Sequence, residues 1–279
     1  MTDSSRRSIL AAAAVAPAAL ASMASAQTAR GAQGGGPGAT RVAVITGSSR
    51  GIGAATARRL ARDGFAVTIN YLTNRQLAEG VARDIESAGG AAIVLQADVA
   101  DPARVAALFY ANEKAFGGVD VVVNNAGIMN VGGFAQMTSA AFDRMIATNV
   151  TGSFNVLREA AKRTRDGGRI ISLSSSIIRQ VPPGAGVYAA TKSAQELYSR
   201  ALAKELAGRN ICVNAVAPGA VDTQLLRQHG EAALKGIPEQ TPLGRLGKPE
   251  DIADVIASLC SKDGAWINGQ IVFANGGLS

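Results

Sequence analysis

The run Val42-Ala43-Val44-Ile45-Thr46-Gly47-Ser48-Ser49-Arg50-Gly51-Ile52-Gly53 decides the fold. Its first half is a short, uninterrupted apolar segment, the pattern of a strand covered on both faces. Its second half carries three glycines and leads into an Ala- and Arg-rich stretch that reads as a helix. Glycines at a strand-to-helix turn let the backbone bend sharply and come close to a pyrophosphate, and unpaired N–H groups at the helix start attract the anion. A glycine-rich loop alone is a weak signal. Its place directly between a first strand and a first helix makes it informative.

The same alternation continues downstream. Apolar runs at residues 66–70, 92–96, 119–124, 169–174, 211–216 and 270–274 are separated by amphipathic stretches. One stretch carries Phe142, Ile146, Val150 and Phe154 at spacing four, the apolar face expected of a fourth helix. Asp101-Pro102 and Lys248-Pro249-Glu250-Asp251 carry the capping side chains, prolines and acids of helix starts. Strand, helix, strand in repetition predicts an α/β, single-domain Rossmann fold, a doubly wound seven-stranded parallel sheet with helices on both faces. The 279 residues suit one such unit plus an extension.

The end of the second strand bears on the cofactor. An acid there would bind the ribose hydroxyls of NAD and repel the extra phosphate of NADP. The strand ends instead at Asn70-Tyr71, and Arg50 in the loop, with Arg75 near it, offers positive charge to a 2′-phosphate. NADP(H) is therefore expected over NAD(H).

Tyr188 and Lys192 stand four residues apart at the start of another expected helix, so phenol and ammonium share a face. A phenol needs its pKa lowered by about three units to exchange a proton near neutrality, and an adjacent lysine cation acts in that direction.

With these motifs in hand, the sequence resembles the short-chain dehydrogenase/reductase family. The loop of residues 46–53, Asn124-Asn125-Ala126-Gly127, Asn149, Ser175, Tyr188, Lys192 and Pro218-Gly219 with Thr223 occur in that family's order, and the resemblance spans residues 41–279. It implies that Tyr188 exchanges a proton with the substrate and that Lys192 lowers its pKa and holds the nicotinamide ribose. Ser175 would polarise the substrate oxygen, in preference to Ser174 and Ser176. Asn149 would hold a water that relays protons to solvent.

The implied cofactor contacts are Gly47, Ser49, Arg50, Gly51, Ile52 and Gly53 in the loop, and Asn70 and Tyr71 after the second strand. Asp98 and Val99 at the adenine, Asn125, Ala126 and Gly127 in the cleft, and Pro218, Gly219, Val221 and Thr223 at the nicotinamide complete the set, beside Tyr188 and Lys192. Residues 222–246 would form a mobile lid, and residues 128–134 and 177–184 would line the substrate pocket. The implied enzyme transfers a hydride between NADP(H) and a small carbonyl or alcohol, as a homotetramer or homodimer. A 3-oxoacyl-carrier-protein reductase and a non-catalytic NADP-binding regulator are the alternatives. The regulator is disfavoured because Tyr188, Lys192 and Ser175 are all present.

The formal charge is +7. The basic residues are spread along expected helices without interleaved aromatics, so a nucleic-acid partner is not expected. Cys212 and Cys260 read as buried free thiols, the single histidine, His229, as a surface residue with no metal role, and Trp266 as packing or subunit contact.

Residues 1–26 combine Arg6-Arg7, an Ala-rich apolar stretch and Ala24-Ser25-Ala26, the three parts of a twin-arginine export signal. The apolar part is too short for a resident membrane helix. Residues 27–40 read as a glycine-rich linker and residues 41–279 as the enzyme domain. Export to the periplasm is the expectation, a cytoplasmic location the alternative.

Overall fold

A computed structural model of the chain describes residues 40–228, 230 and 234–278. The export signal, nearly all of the linker and His229 lie outside the described residues. Seven strands, β1 (Arg41–Ile45), β2 (Phe65–Tyr71), β3 (Ala92–Gln96), β4 (Val119–Asn124), β5 (Thr164–Leu173), β6 (Cys212–Pro218) and β7 (Ile271–Ala274), form one sheet in the order β3-β2-β1-β4-β5-β6-β7. Every neighbouring pair is parallel.

Side-chain alternation sorts the sheet into two apolar layers. Ala43 and Ile45 of β1 with Val121 and Val123 of β4 meet α1 (Gly51–Arg62), α2 (Arg75–Ser87) and the last helix (Pro249–Cys260). Val44 and Val122 meet the opposite layer, α3 (Pro102–Phe116), α5 (Gly152–Arg163) and α7 (Gly186–Glu205). Both helix-start expectations hold. Asp101 caps α3 by accepting from the N–H groups of Ala103 (2.8 Å) and Arg104 (3.2 Å), and Asp251 accepts from Lys248 N (2.6 Å) at the last helix. Both cysteines are buried and free. No helix among the described residues is long and apolar enough to cross a membrane.

Two expectations change. The fourth helix is two, α4 (Ser139–Met145) and α5, joined by a π-helical turn (Ile146–Thr151) in which Gly152 N–H bonds the carbonyl of Ala147. The stripe read as its inner face points outward: Phe142 is 42% and Phe154 49% exposed. The buried side carries Met145, Asn149, Ser153 and Val156. A polar Asn149 can replace an apolar residue there because its amide is fully hydrogen-bonded. Trp266 is 98% exposed and so takes no part in the core.

The sheet reverses its winding between β1 and β4, and a crevice opens at the carboxyl ends of those strands. Its far wall, the loop with Asp98 and Val99, is set by α5. Asn155 Nδ2 donates to the carbonyls of Val99 (3.0 Å) and Ala100 (3.3 Å), and a Cβ on Gly152 would stand 2.6 Å from Val99 Cγ2. Gly152→Ala is therefore expected to lower the unfolding free energy by about 1–3 kcal/mol, read by urea denaturation. An unchanged urea midpoint would show that the loop yields freely.

Candidate functional site

The crevice is organised by Thr46. Its hydroxyl donates to Val123 O (3.4 Å) and accepts from the N–H groups of Asn125 (3.0 Å) and Ala126 (3.0 Å). Asn125 returns the contact, its Nδ2 donating to the carbonyls of Thr46 (2.8 Å) and Gly47 (3.0 Å). The loop after β1 is thus tied to the loop after β4. Gly47 has φ +62°, and a Cβ there would lie 2.9 Å from Ala126 Cα. A Cβ on Gly53 would meet Asn125 Nδ2 and Gly47 O, both at 2.6 Å.

Asn70, buried at the end of β2, accepts from Gly47 N (3.1 Å) and donates to Ala97 O (3.1 Å), so it shapes the loop as well as bordering the crevice. The first N–H groups of α1 have no intrahelical partner, and no side chain caps them. They open on a cavity of about 300 Å³ lined by Ser49, Arg50, Ile52, Tyr71, Asp98 and Gly127 among others. This uncapped helix start, with a loop that leaves no room for a Cβ at Gly47 or Gly53, fits a dinucleotide pyrophosphate. Arg50 borders the cavity and bonds Gln224 Oε1 (2.5 Å). Arg75 does not take part. It turns away to pair with Glu79 (2.7 Å) one helical turn on.

A second cavity, of about 470 Å³, shares Ile52, Asn125, Gly127 and Thr223 with the first and carries Ser175, Tyr188, Lys192, Pro218, Gly219 and Val221. Every residue expected at the cofactor or the chemistry borders one of the two cavities, except Asn149. Ser175 borders the same cavity as Tyr188, close enough to act on the phenol. Ser174, by contrast, turns its hydroxyl to Glu196 Oε1 (2.7 Å), which leaves Ser175 as the serine paired with the phenol. The short helix α6 (Ile177–Gln180) borders this cavity, and α8 (Gln224–Arg227) and α9 (Ile237–Gln240) stand on its lid side.

Burial dominates the electrostatics of the pair. Burial pushes the phenol up to about 12, partly offset by the Ser175 bond. The Lys192 ammonium is 5.9 Å from the ring centroid and bonds Leu173 O (2.6 Å) and Gln195 Oε1 (3.1 Å). Its own burial pulls it down to about 8. The Asn149 side chain, moreover, is fully engaged: it accepts from Ile128 N (2.9 Å) and donates to Ile128 O (2.8 Å) and Thr191 Oγ1 (3.0 Å). It clamps the β4 loop to α7.

The family model described as "Enoyl-(Acyl carrier protein) reductase" matches residues 47–279. A "Short-chain type dehydrogenase/reductase" of Picea abies is 44% identical over 248 residues, 85% of this chain and 92% of the relative. The chain belongs to the short-chain dehydrogenase/reductase family. An "NADPH-dependent aldehyde reductase 2, chloroplastic" of Arabidopsis thaliana is 42% identical, covering 86% of this chain and 94% of its own. A short-chain dehydrogenase of Burkholderia cenocepacia, solved in complex with NADP, superposes with a TM-score of 0.82 at 37% identity, over 86% of this chain and 98% of that one.

Within this family member, sequence reasoning missed Thr46, Gln224 and Gln195. Thr46 had a signal, a hydroxyl at the strand end just before the glycines. Gln224 had none, because its contact with Arg50 joins residues 174 positions apart.

The buried pair makes stability depend on pH. Lys192 is pulled from 10.5 to about 8, so between those values the unfolded chain binds more protons and stability rises with pH. Tyr188 is raised from 10 to about 12, so across that range the folded chain binds more and stability falls. Lys192→Met should remove roughly 2 kcal/mol of the gain between pH 8 and 10. Urea titrations of both proteins at the two pH values measure it. Equal gains would place the ammonium in solvent.

Proposed function

We propose that the chain is an NADP(H)-dependent oxidoreductase that reduces a small aldehyde or ketone, with Tyr188 as the proton donor. The observation that carries the reading is that Ser175, Tyr188 and Lys192 line one cavity, which shares Ile52, Asn125, Gly127 and Thr223 with the glycine-loop crevice. NADP(H) is the cofactor. When bound, it supplies the hydride and takes it back.

The chain's own residues do the rest. A neutral phenol is the form that carbonyl reduction consumes, and burial keeps it neutral well above physiological pH. Ser175 orients the phenol and offers a hydroxyl to the substrate oxygen. As negative charge develops on that oxygen, the buried Lys192 ammonium, in a water-poor site, favours transfer of the Tyr188 proton. The apolar walls, Met129, Val131, Ile177, Pro182 and Leu226, suit an aldehyde or ketone better than a heavily hydroxylated sugar. The export reading of residues 1–26 stands beside this as a proposal from sequence alone.

NADPH oxidation is the direct assay, with a panel of aldehydes, ketones, sugars, acetoacetyl thioesters and enoyl thioesters. Activity on thioesters alone would replace the proposal with a carrier-protein reductase. Tyr188→Phe should reduce kcat by a factor of about 10²–10⁴ while NADPH still binds. Full activity in that variant would remove the phenol from the chemistry. Arg50 is assigned to the 2′-phosphate. Arg50→Ala should weaken NADPH binding about 10- to 100-fold and leave NADH affinity nearly unchanged. Equal losses for both would give Arg50 a role in loop structure instead.

A further inference from the structure

Gln195 lies one turn beyond Lys192 on α7 and is completely buried. A long amide side chain in such a place must satisfy both of its ends. It does so entirely within the site. Nε2 donates to the backbone carbonyl of Asn149 (2.9 Å) and to Ser153 Oγ (2.8 Å), and Oε1 accepts from Lys192 Nζ (3.1 Å). The orientation of the amide is dictated by its partners. The Asn149 carbonyl can only accept and the lysine ammonium can only donate.

We infer that Gln195 is the positioning residue for Lys192, a side-chain strut that ties the ammonium to the π-helical turn. It spans from Lys192 Nζ to the Asn149 carbonyl and the Ser153 hydroxyl. An ammonium has three donors. Leu173 O and Gln195 Oε1 take two and leave one for the cleft that Lys192 borders. The π-helical geometry has a consequence here: it brings the Asn149 carbonyl and the Ser153 hydroxyl together under one amide of α7.

The surroundings make Gln195 the adjustable partner. Among the described residues, Tyr188 is the titratable group facing Lys192 on α7, 5.9 Å away at the ring centroid. Glu196, also on α7, spends its carboxylate on Ser174. Strand β5 offers the Leu173 carbonyl, and the π turn and the β4 loop offer the Asn149 amide and Gly127. Burial alone depresses Lys192, with no charged partner opposing it. The polarity of residue 195 therefore sets how readily Lys192 holds its proton.

The inference rests on the proposed part of Lys192 in carbonyl reduction, and the test separates the two. In apo protein labelled with [ε-¹³C]lysine, the Lys192 resonance, identified by its loss in Lys192→Met, is titrated directly by NMR. Gln195→Met, close in volume, should lower the Lys192 midpoint by about one pH unit, and Gln195→Glu, equal in shape, should raise it. Gln195→Glu keeps the question answerable if Gln195→Met fails to fold. In the NADPH assay, the limb of kcat/KM against pH that follows Lys192 should move the same way in each variant. Unmoved Lys192 midpoints in the folded variants would overturn the inference. Shifted NMR midpoints without any carbonyl reduction would leave the strut standing and remove the proposed reaction.

Discussion

The site depends on one hydroxyl. Thr46 follows β1 at the point where the winding of the sheet reverses, and it bonds the carbonyl of Val123 and the N–H groups of Asn125 and Ala126. The Val123 carbonyl and the Asn125 N–H also bond each other, whereas the Ala126 N–H takes its partner from Thr46, and leaving such a group unpaired costs about as much as a lost hydrogen bond. By satisfying it, Thr46 keeps both loops short and close. Asn125 and Asn70 then lock the glycine loop from either side.

Burial governs the second half of the site. Tyr188 and Lys192 are both buried, and each is displaced toward its neutral form, the phenol upward and the ammonium downward. Desolvation is the largest cause of the displacement in each. An unliganded site of this kind holds a ready proton donor beside a lysine whose charge is delicately balanced. That balance is set by neutral groups, the Leu173 carbonyl and the Gln195 amide.

The buried polar network links this chemistry to the scaffold. Asn149 joins the β4 loop to α7 through Ile128 and Thr191, while Gln195 joins α7 back to the π turn. Each amide is satisfied at both ends, the condition under which buried polar groups rigidify a core instead of weakening it. The π turn lies between α4 and α5, and Phe142 and Phe154 on either side of it face outward, against the simple helical periodicity of the sequence.

Ser175 entered only through the family resemblance. The sequence by itself determined the parallel sheet, the helix starts at Asp101 and Lys248, the glycine loop and the shared helix face of Tyr188 and Lys192. Those features are local: they follow from apolar runs, capping residues and the spacing of side chains along one element. Tertiary structure alone decided that Arg75 faces Glu79, that Arg50 meets Gln224, and that Asn149 clamps Ile128 and Thr191. It also decided that the phenol and the lysine are both buried. These outcomes depend on which distant groups meet across the crevice and on how much water remains between them, and neither quantity is written in residue spacing.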